Sequence, residues 1–222
     1  MDLKGVKIQL LNTAKKVNSF GLNHGASGNL SVRTNEGMII TPSSVPFEEL
    51  AIDQLVSVVF NDEIALKQKA LEEGVTKRPS SEWRLHKAVL LTRPEIKVIL
   101  HCHSTYATAL ACHRKDIPSF HYMVAVAGGT NIRCSKYATF GTSLLSDHAT
   151  DALNGRLACL LANHGQIALG KSFDEAFNIA LQVELLAKMF IAANQLGEPY
   201  LLSDEQMNEV HDSFRALNYG SK

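Results

Sequence analysis

Apolar side chains recur at three- and four-residue spacing through Leu3, Val6, Leu10, Ala14 and Val17, with lysines elsewhere. That period predicts an amphipathic helix over residues 2–20, closed by Gly21. The pattern then shortens. Residues 30–33 and 38–41 read as strands joined through Asn35-Glu36-Gly37 into a β-hairpin. Residues 55–60 predict another strand, ended at Asn61-Asp62, while the charged stretch 63–78 lacks a period and fits a strand or an exposed loop. Helical spacing returns at Leu85, Ala88, Val89 and Thr92, with Ser80 or Ser81 as N-cap, Glu82 in the first turn and Arg93-Pro94 as the stop.

A buried strand follows at once in Val98-Ile99-Leu100-His101-Cys102-His103, and residues 105–112 predict a helix leading away from it. Residues 122–126 are apolar and strand-like until Gly128-Gly129. Thr142 or Ser143 caps a helix that ends at Gly155. Residues 157–162 form a strand running into His164, with 166–169 as its hairpin partner. Ser172-Phe173-Asp174-Glu175 is a capping box that opens the longest helix, which stops before Gly197-Glu198-Pro199. Ser203-Asp204-Glu205-Gln206 opens a short last helix in the same way. Strands and helices interleave without a repeat, a low-complexity tract or a linker, so residues 1–222 are expected to form a single α/β domain.

The end of the 98–103 strand carries the first chemistry. Side chains two apart in a strand leave the same face, so His101 and His103 point together while Cys102 points away. His164 lies about sixty residues on, where another apolar run stops. Three imidazoles at strand ends supply three of a tetrahedral metal's four ligands, and Glu82 offers a carboxylate as a fourth ligand or a base. Three small polar turns add Gly28-Asn29, Thr41-Pro42-Ser43-Ser44 and Ser80-Ser81, without a lysine among them. Their hydroxyls, amide and backbone N–H groups suit a phosphate bound without a cationic side chain, although ordinary turn and cap chemistry accounts for each turn singly. On composition, Tyr122 is a core aromatic. His24, His113, His148 and His211 sit in polar surroundings and read as surface residues, and His86 and His121 are left open.

Composition narrows the classes. Of 222 residues 45% are hydrophobic and 20% charged, which describes a globular chain with enough length to bury a core. Lys plus Arg and Asp plus Glu both number 22, so the net charge of zero argues against nucleic acid or an anionic membrane as partner. The four cysteines, Cys102, Cys112, Cys134 and Cys159, show no CxxC spacing and suit reduced thiols. With no signal-peptide pattern and no apolar run near the ~20 residues of a membrane helix, the expectation is a cytoplasmic protein.

Seven separated motifs agree with one family. Gly28-Asn29-Leu30-Ser31-Val32-Arg33, Gly37-Met38-Ile39-Ile40-Thr41-Pro42, Pro79-Ser80-Ser81-Glu82-Trp83-Arg84, His101-Cys102-His103, His121-Tyr122-Met123, Tyr137-Ala138-Thr139-Phe140-Gly141 and Asn163-His164-Gly165 resemble the class II aldolase/adducin family. The likeness runs from about residue 5 to the end of the chain.

The resemblance implies a three-layer sandwich with a central, largely antiparallel sheet covered by helices, and a homotetramer with active sites between subunits. It implies zinc held by His101, His103 and His164, with Glu82 as a movable ligand and base. Gly28, Asn29, Ser43, Ser44, Ser80 and Ser81 fall where the family holds a substrate phosphate. Phe140 would position an aldehyde, and Tyr122 would become a candidate acid reaching in from a neighbouring subunit. The implied activity is metal-dependent cleavage of a ketose 1-phosphate, L-fuculose 1-phosphate above all, to dihydroxyacetone phosphate and L-lactaldehyde. A sugar-phosphate 4-epimerase, a methylthioribulose-phosphate dehydratase, an aldolase for another deoxyketose phosphate and a non-catalytic adducin-like assembly module are the rival readings. The chain departs from the pattern at Ala26 and at Ser43-Ser44, and Tyr219 stands near the family's mobile tail.

Overall fold

The computed structural model describes residues 2–60 and 78–217. The turn expected at Asn61-Asp62, nearly all of the charged stretch after it, and Tyr219 lie outside the described residues. Among the described residues six strands form one sheet: β1 (Asn29–Arg33), β2 (Gly37–Ile40), β3 (Val56–Val59), β4 (Val98–Cys102), β5 (Ala158–Leu161) and β6 (Gly165–Gly170). Their order is β3-β2-β1-β4-β6-β5 and every pairing is antiparallel. Strands interleaved with helices would on pattern alone suggest a parallel sheet; the antiparallel arrangement is the one the family resemblance implied.

Helices cover both faces. On one lie α1 (Leu3–Ser19), α3 (Thr105–Cys112), α5 (Phe173–Gln195) and α6 (Asp204–Ala216); on the other lie α2 (Trp83–Thr92) and α4 (Ser143–Ala152). Strand alternation divides the core between them. Val98, Leu100 and Cys102 of β4 join Leu10, Ala14 and Val17 of α1 in one cluster, whereas Ile99 joins Leu85 and Val89 of α2 in the other. The result is the three-layer sandwich.

Local rules explain most boundaries. The first helix ends one residue before Phe20, and Gly21 at φ +69 turns the chain so that the Leu22 N–H reaches the Val17 carbonyl. Thr142, Ser172 and Ser203 each cap the helix that follows with a side-chain oxygen. Two expectations change. Residues Tyr122–Ala127 form a 3-10 helix, not a strand, closed by Gly128 at φ +86. Five consecutive apolar residues after Tyr122 carry no period that distinguishes the two. Neither Ser80 nor Ser81 takes the N-cap position of α2; Glu82 does, with no side-chain cap bond, and Ser80 Oγ accepts from the Glu82 N–H instead.

By length and composition α5 also exceeds what the sequence suggested, since it is long and apolar enough to cross a membrane. Its buried face, from Ala176 through Val183 to Ala187, packs into the core under the sheet.

Candidate metal centre

The three expected histidines meet. His101 is the penultimate residue of β4 and is buried. Its Nδ1 bonds the Gln166 carbonyl of β6 at 2.8 Å, which makes that nitrogen the donor and leaves the Nε2 lone pair for the site. His103 stands one residue past the strand, where its backbone N–H donates to Asn23 Oδ1. His164 arrives from the β5–β6 turn. Asn163 at φ 54 makes that turn possible, tied down by its N–H to the Ala111 carbonyl and by Arg114 Nε on its own Oδ1.

The ring centroids lie 4.8–4.9 Å apart, and one ligand atom from each residue falls within 4.8 Å of the others. His101 Nε2 and His103 Nε2 are 3.1 Å apart. Ligand nitrogens of a tetrahedral zinc, at 2.0–2.1 Å from the ion, sit about 3.4 Å from one another. Two ring nitrogens this close need either a shared ring hydrogen or a cation between them, and with His101 Nδ1 already committed to Gln166 both Nε2 atoms can offer lone pairs to a cation. The donor set therefore fits a divalent metal.

Gly165 makes the convergence possible. A Cβ there would fall 2.6 Å from the Cys102 carbonyl oxygen, 2.9 Å from His103 Cδ2 and 3.3 Å from His101 Cε1. Gly165→Ala should therefore splay the two rings, with metal affinity about ten- to a hundredfold weaker, the range seen when ligand orientation is disturbed. Competition against a chromogenic chelator measures this, and unchanged affinity would refute it.

Glu82 closes the group. Its Oε2 lies 3.1 Å from His101 Nε2 and its Oε1 3.4 Å from His164 Nε2, with both oxygens buried. Burial opposes its ionisation, yet the adjacent His101, then His164 and the Asn29 amide, outweigh that and hold the carboxyl well below the usual range. For His101 burial likewise disfavours charge, but Glu82 beside it raises the value on balance. His103 and His164 go down to about 4, through burial first and the neighbouring imidazoles second. His86, fully buried, falls to about 3 for the same leading reason.

These directions set how the metal-free fold responds to acid. Below pH 6.5 an unfolded chain protonates His86, His103 and His164 while the fold does not, so stability falls as pH drops from 6.5 toward their folded values. Glu82, whose folded value is depressed, withdraws its contribution only below pH 4.5. His101 contributes fully below pH 6.5 and loses that contribution as pH rises through its raised value. Unfolding of the chelated protein at about pH 5 should take up roughly three protons and need less denaturant than at about pH 7. A midpoint that does not move between the two contradicts this.

The centre opens into a cleft of about 420 Å³. Gly28, Asn29, Ser43, Ser44, Ser80 and Ser81 all line it, together with Ala26, Glu82, His103 and His164. Hydrogen bonds from the Ser43 N–H to the Arg78 carbonyl and from the Ser80 N–H to the Thr41 carbonyl knit the serine turns together. Among the described residues the lining holds no Lys or Arg, so an anion there would meet hydroxyls, amide N–H groups and the end of α2. Phe140 and Tyr137 stand at the rim, both exposed.

Tyr122 does not line this cleft. It lies half exposed, stacked on His121 at 4.8 Å and edge-on to Phe214. Sequence reasoning left His86 open, and the structure places it against the site. It sits one turn after Glu82 on α2 and bonds Asn29 and Ser31. The i, i+4 spacing from Glu82 was the available signal.

The family model described as Class II Aldolase and Adducin N-terminal domain matches residues 8–191. A 5-methylthioribulose-1-phosphate/5-deoxyribulose-1-phosphate aldolase of Rhodospirillum rubrum is 42% identical over 206 residues, 93% of this chain and 89% of that protein. An L-fuculose phosphate aldolase of Escherichia coli K12 is 39% identical over 216 residues, 97% of this chain and 96% of that one. A solved L-fuculose 1-phosphate aldolase superposes with a TM-score of 0.88 at 40% identity, covering 97% of this chain and 98% of its own.

Proposed function

Because the chain belongs to the class II aldolase and adducin N-terminal domain family, we propose that it is a metal-dependent aldolase acting on a ketose 1-phosphate. L-fuculose 1-phosphate is the first candidate, with dihydroxyacetone phosphate and L-lactaldehyde as products. The observation that carries this reading is the convergence of His101, His103, His164 and Glu82 at the base of a cleft walled by hydroxyl and amide donors.

Zinc suits three neutral imidazoles and a carboxylate, and when bound such an ion acts as a Lewis acid on the ketone oxygen. Gly28, Asn29, Ser43, Ser44, Ser80 and Ser81 hold the phosphate. Cleavage then needs two proton movements. Cleavage starts from the state that condensation ends in, with Glu82 protonated and Tyr122 deprotonated. Tyr122 takes the proton from the hydroxyl that becomes the aldehyde oxygen, the adjacent carbon–carbon bond breaks, and Glu82 gives its proton to the carbon left behind. Solvent exchange then resets both groups. In condensation Glu82 removes that carbon-bound proton and Tyr122 returns the other. Phe140 packs against the aldehyde.

Tyr122 stands away from the cleft of its own chain, half exposed, and a neighbouring copy is what would bring it to a site. A homotetramer is the assembly proposed, so light scattering should give four times the 24.3 kDa chain mass. A cytoplasmic location goes with the four cysteines, all free thiols.

A second reading has specific support. The Rhodospirillum rubrum relative is named for 5-methylthioribulose 1-phosphate and 5-deoxyribulose 1-phosphate, and its identity to this chain is no lower than that of the fuculose enzymes. The test is parallel cleavage of all three sugar phosphates by zinc-loaded protein, with released dihydroxyacetone phosphate coupled to NADH oxidation and a chelated control. Fastest chelator-sensitive cleavage of L-fuculose 1-phosphate supports the first assignment. Preference for a 5-substituted ribulose phosphate moves the substrate, and no cleavage of any of them refutes the aldolase reading.

A further inference from the structure

Strand β1 sends Asn29 and Ser31 to the face of the sheet that α2 covers, and α2 sends back Glu82 and, one turn on, His86. The four side chains form an unbroken line. Ser31 Oγ lies 2.7 Å from His86 Nδ1, His86 Nε2 lies 2.6 Å from Asn29 Oδ1, and Asn29 Nδ2 donates to Glu82 Oε2 at 2.9 Å. Ser31 and His86 are 0% exposed, Asn29 2% and Glu82 4%, so water satisfies none of these contacts in their place.

The hydrogens along the line follow from one end. A carboxylate only accepts, so the nitrogen of the Asn29 amide must face Glu82 and its oxygen must face His86. That oxygen requires a donor, which places the ring hydrogen on Nε2. Nδ1 is then a bare lone pair, and the Ser31 hydroxyl donates to it. The opposite tautomer would set two acceptors against each other at 2.6 Å or turn the amide oxygen onto the carboxylate. Complete burial, which keeps His86 neutral, is consistent with one hydrogen on the ring.

We propose that Ser31 and His86 are positioning residues that lock the Asn29 amide, so that its N–H pins Glu82 Oε2 and leaves Oε1 as the oxygen that exchanges a proton with substrate. Oε1 takes no hydrogen bond from any described residue, with only His164 Nε2 near it at 3.4 Å. The proton-exchange role rests on the aldolase reading above; the lock itself does not. Every donor in the line has one acceptor, so loss of the first hydroxyl unfixes the last carboxylate.

The decisive measurement needs no activity. Nitrogen-15 NMR of the histidine rings in metal-free protein reports tautomers, with the His86 signal identified by its absence in His86→Phe. An Nε2–H ring with an accepting Nδ1 is expected; an Nδ1–H ring overturns the inference. Zinc affinity should weaken about ten- to a hundredfold in His86→Phe and recover in part in His86→Gln, whose amide N–H can still meet Asn29. In turnover, Ser31→Ala and His86→Phe should lower kcat about tenfold or more with KM within threefold, as loss of orientation predicts. Folded variants that keep both zinc affinity and kcat within twofold would refute the lock. If His86→Phe fails to fold, Ser31→Ala, which removes one oxygen, carries the same comparison. Should the wild-type protein cleave no ketose phosphate, the aldolase reading falls, and the tautomer and zinc measurements still decide the lock.

Discussion

Glu82→Gln should lower kcat for sugar-phosphate cleavage by about 10²–10⁴-fold, the usual worth of a positioned acid–base group. The substitution keeps the shape of the side chain and removes its charge. Gln still presents an oxygen to the Asn29 N–H, now 2.9 Å from Oε2, so the fold should survive. The cost of burying an ionised carboxylate also disappears with the charge, which offsets the lost attraction to His101. Proton exchange at carbon isolates the role assigned here. Dihydroxyacetone phosphate incubated with the wild-type enzyme in heavy water should trade one carbon-bound hydrogen for deuterium, and the variant should not catalyse it. Exchange at the wild-type rate in Glu82→Gln would remove Glu82 from the proton transfer whatever happened to turnover.

His101→Ala should have the second large effect, on the metal and on the fold together. It deletes a proposed ligand whose ring is held from behind by the bond between its Nδ1 and the Gln166 carbonyl. It also leaves Glu82 buried without its nearest imidazole, the neighbour that most favours its ionised form, and breaking a buried pair in this way costs about 3–5 kcal/mol. Denaturant unfolding of metal-free protein measures the loss. The double variant His101→Ala with Glu82→Gln should be more stable than His101→Ala alone, because the stranded charge has gone. Equal stability of the two would show that the loss came from the cavity and not from the carboxylate.

Much of this was legible in the chain. An imidazole at each of two alternate positions, ending an apolar run, predicts that His101 and His103 point together, and they do, although His103 lies one residue past the strand and is held there through its backbone N–H by Asn23 Oδ1. The hairpin and the caps Thr142, Ser172 and Ser203 follow from short-range rules and occur where those rules place them. The cap of α2 did not follow. A serine before a helix is normally the better cap, but here Glu82 holds the position because its carboxylate is committed to the histidines. The run after Tyr122 failed for a different reason: without polar positions, period two and a tight helical turn look alike. For His86 the chain offers one local signal, its i, i+4 spacing from Glu82, while its hydrogen-bond partners lie 55 and 57 residues away in sequence. No local pattern reports a hydrogen bond made between a helix and a distant strand that it packs on.

The alternation in β1 and β4 bears on how such a protein can change over generations. Asn29, Ser31, Ile99 and His101 take one side of the two paired strands, and Leu30, Val32, Val98 and Leu100 the other. A point substitution at Asn29, Ser31 or His101 therefore alters the candidate site, and one at Leu30, Val32, Val98 or Leu100 the packing on the opposite face, so selection can tune each with little interference from the other. Gaining or losing a single codon inside either strand is another matter, since it would exchange the two sets beyond that point. It would drive polar groups into the cluster on the opposite face and disperse the candidate metal site in one step. Homologous genes should consequently carry their length differences in the connecting loops and almost never within these two strands.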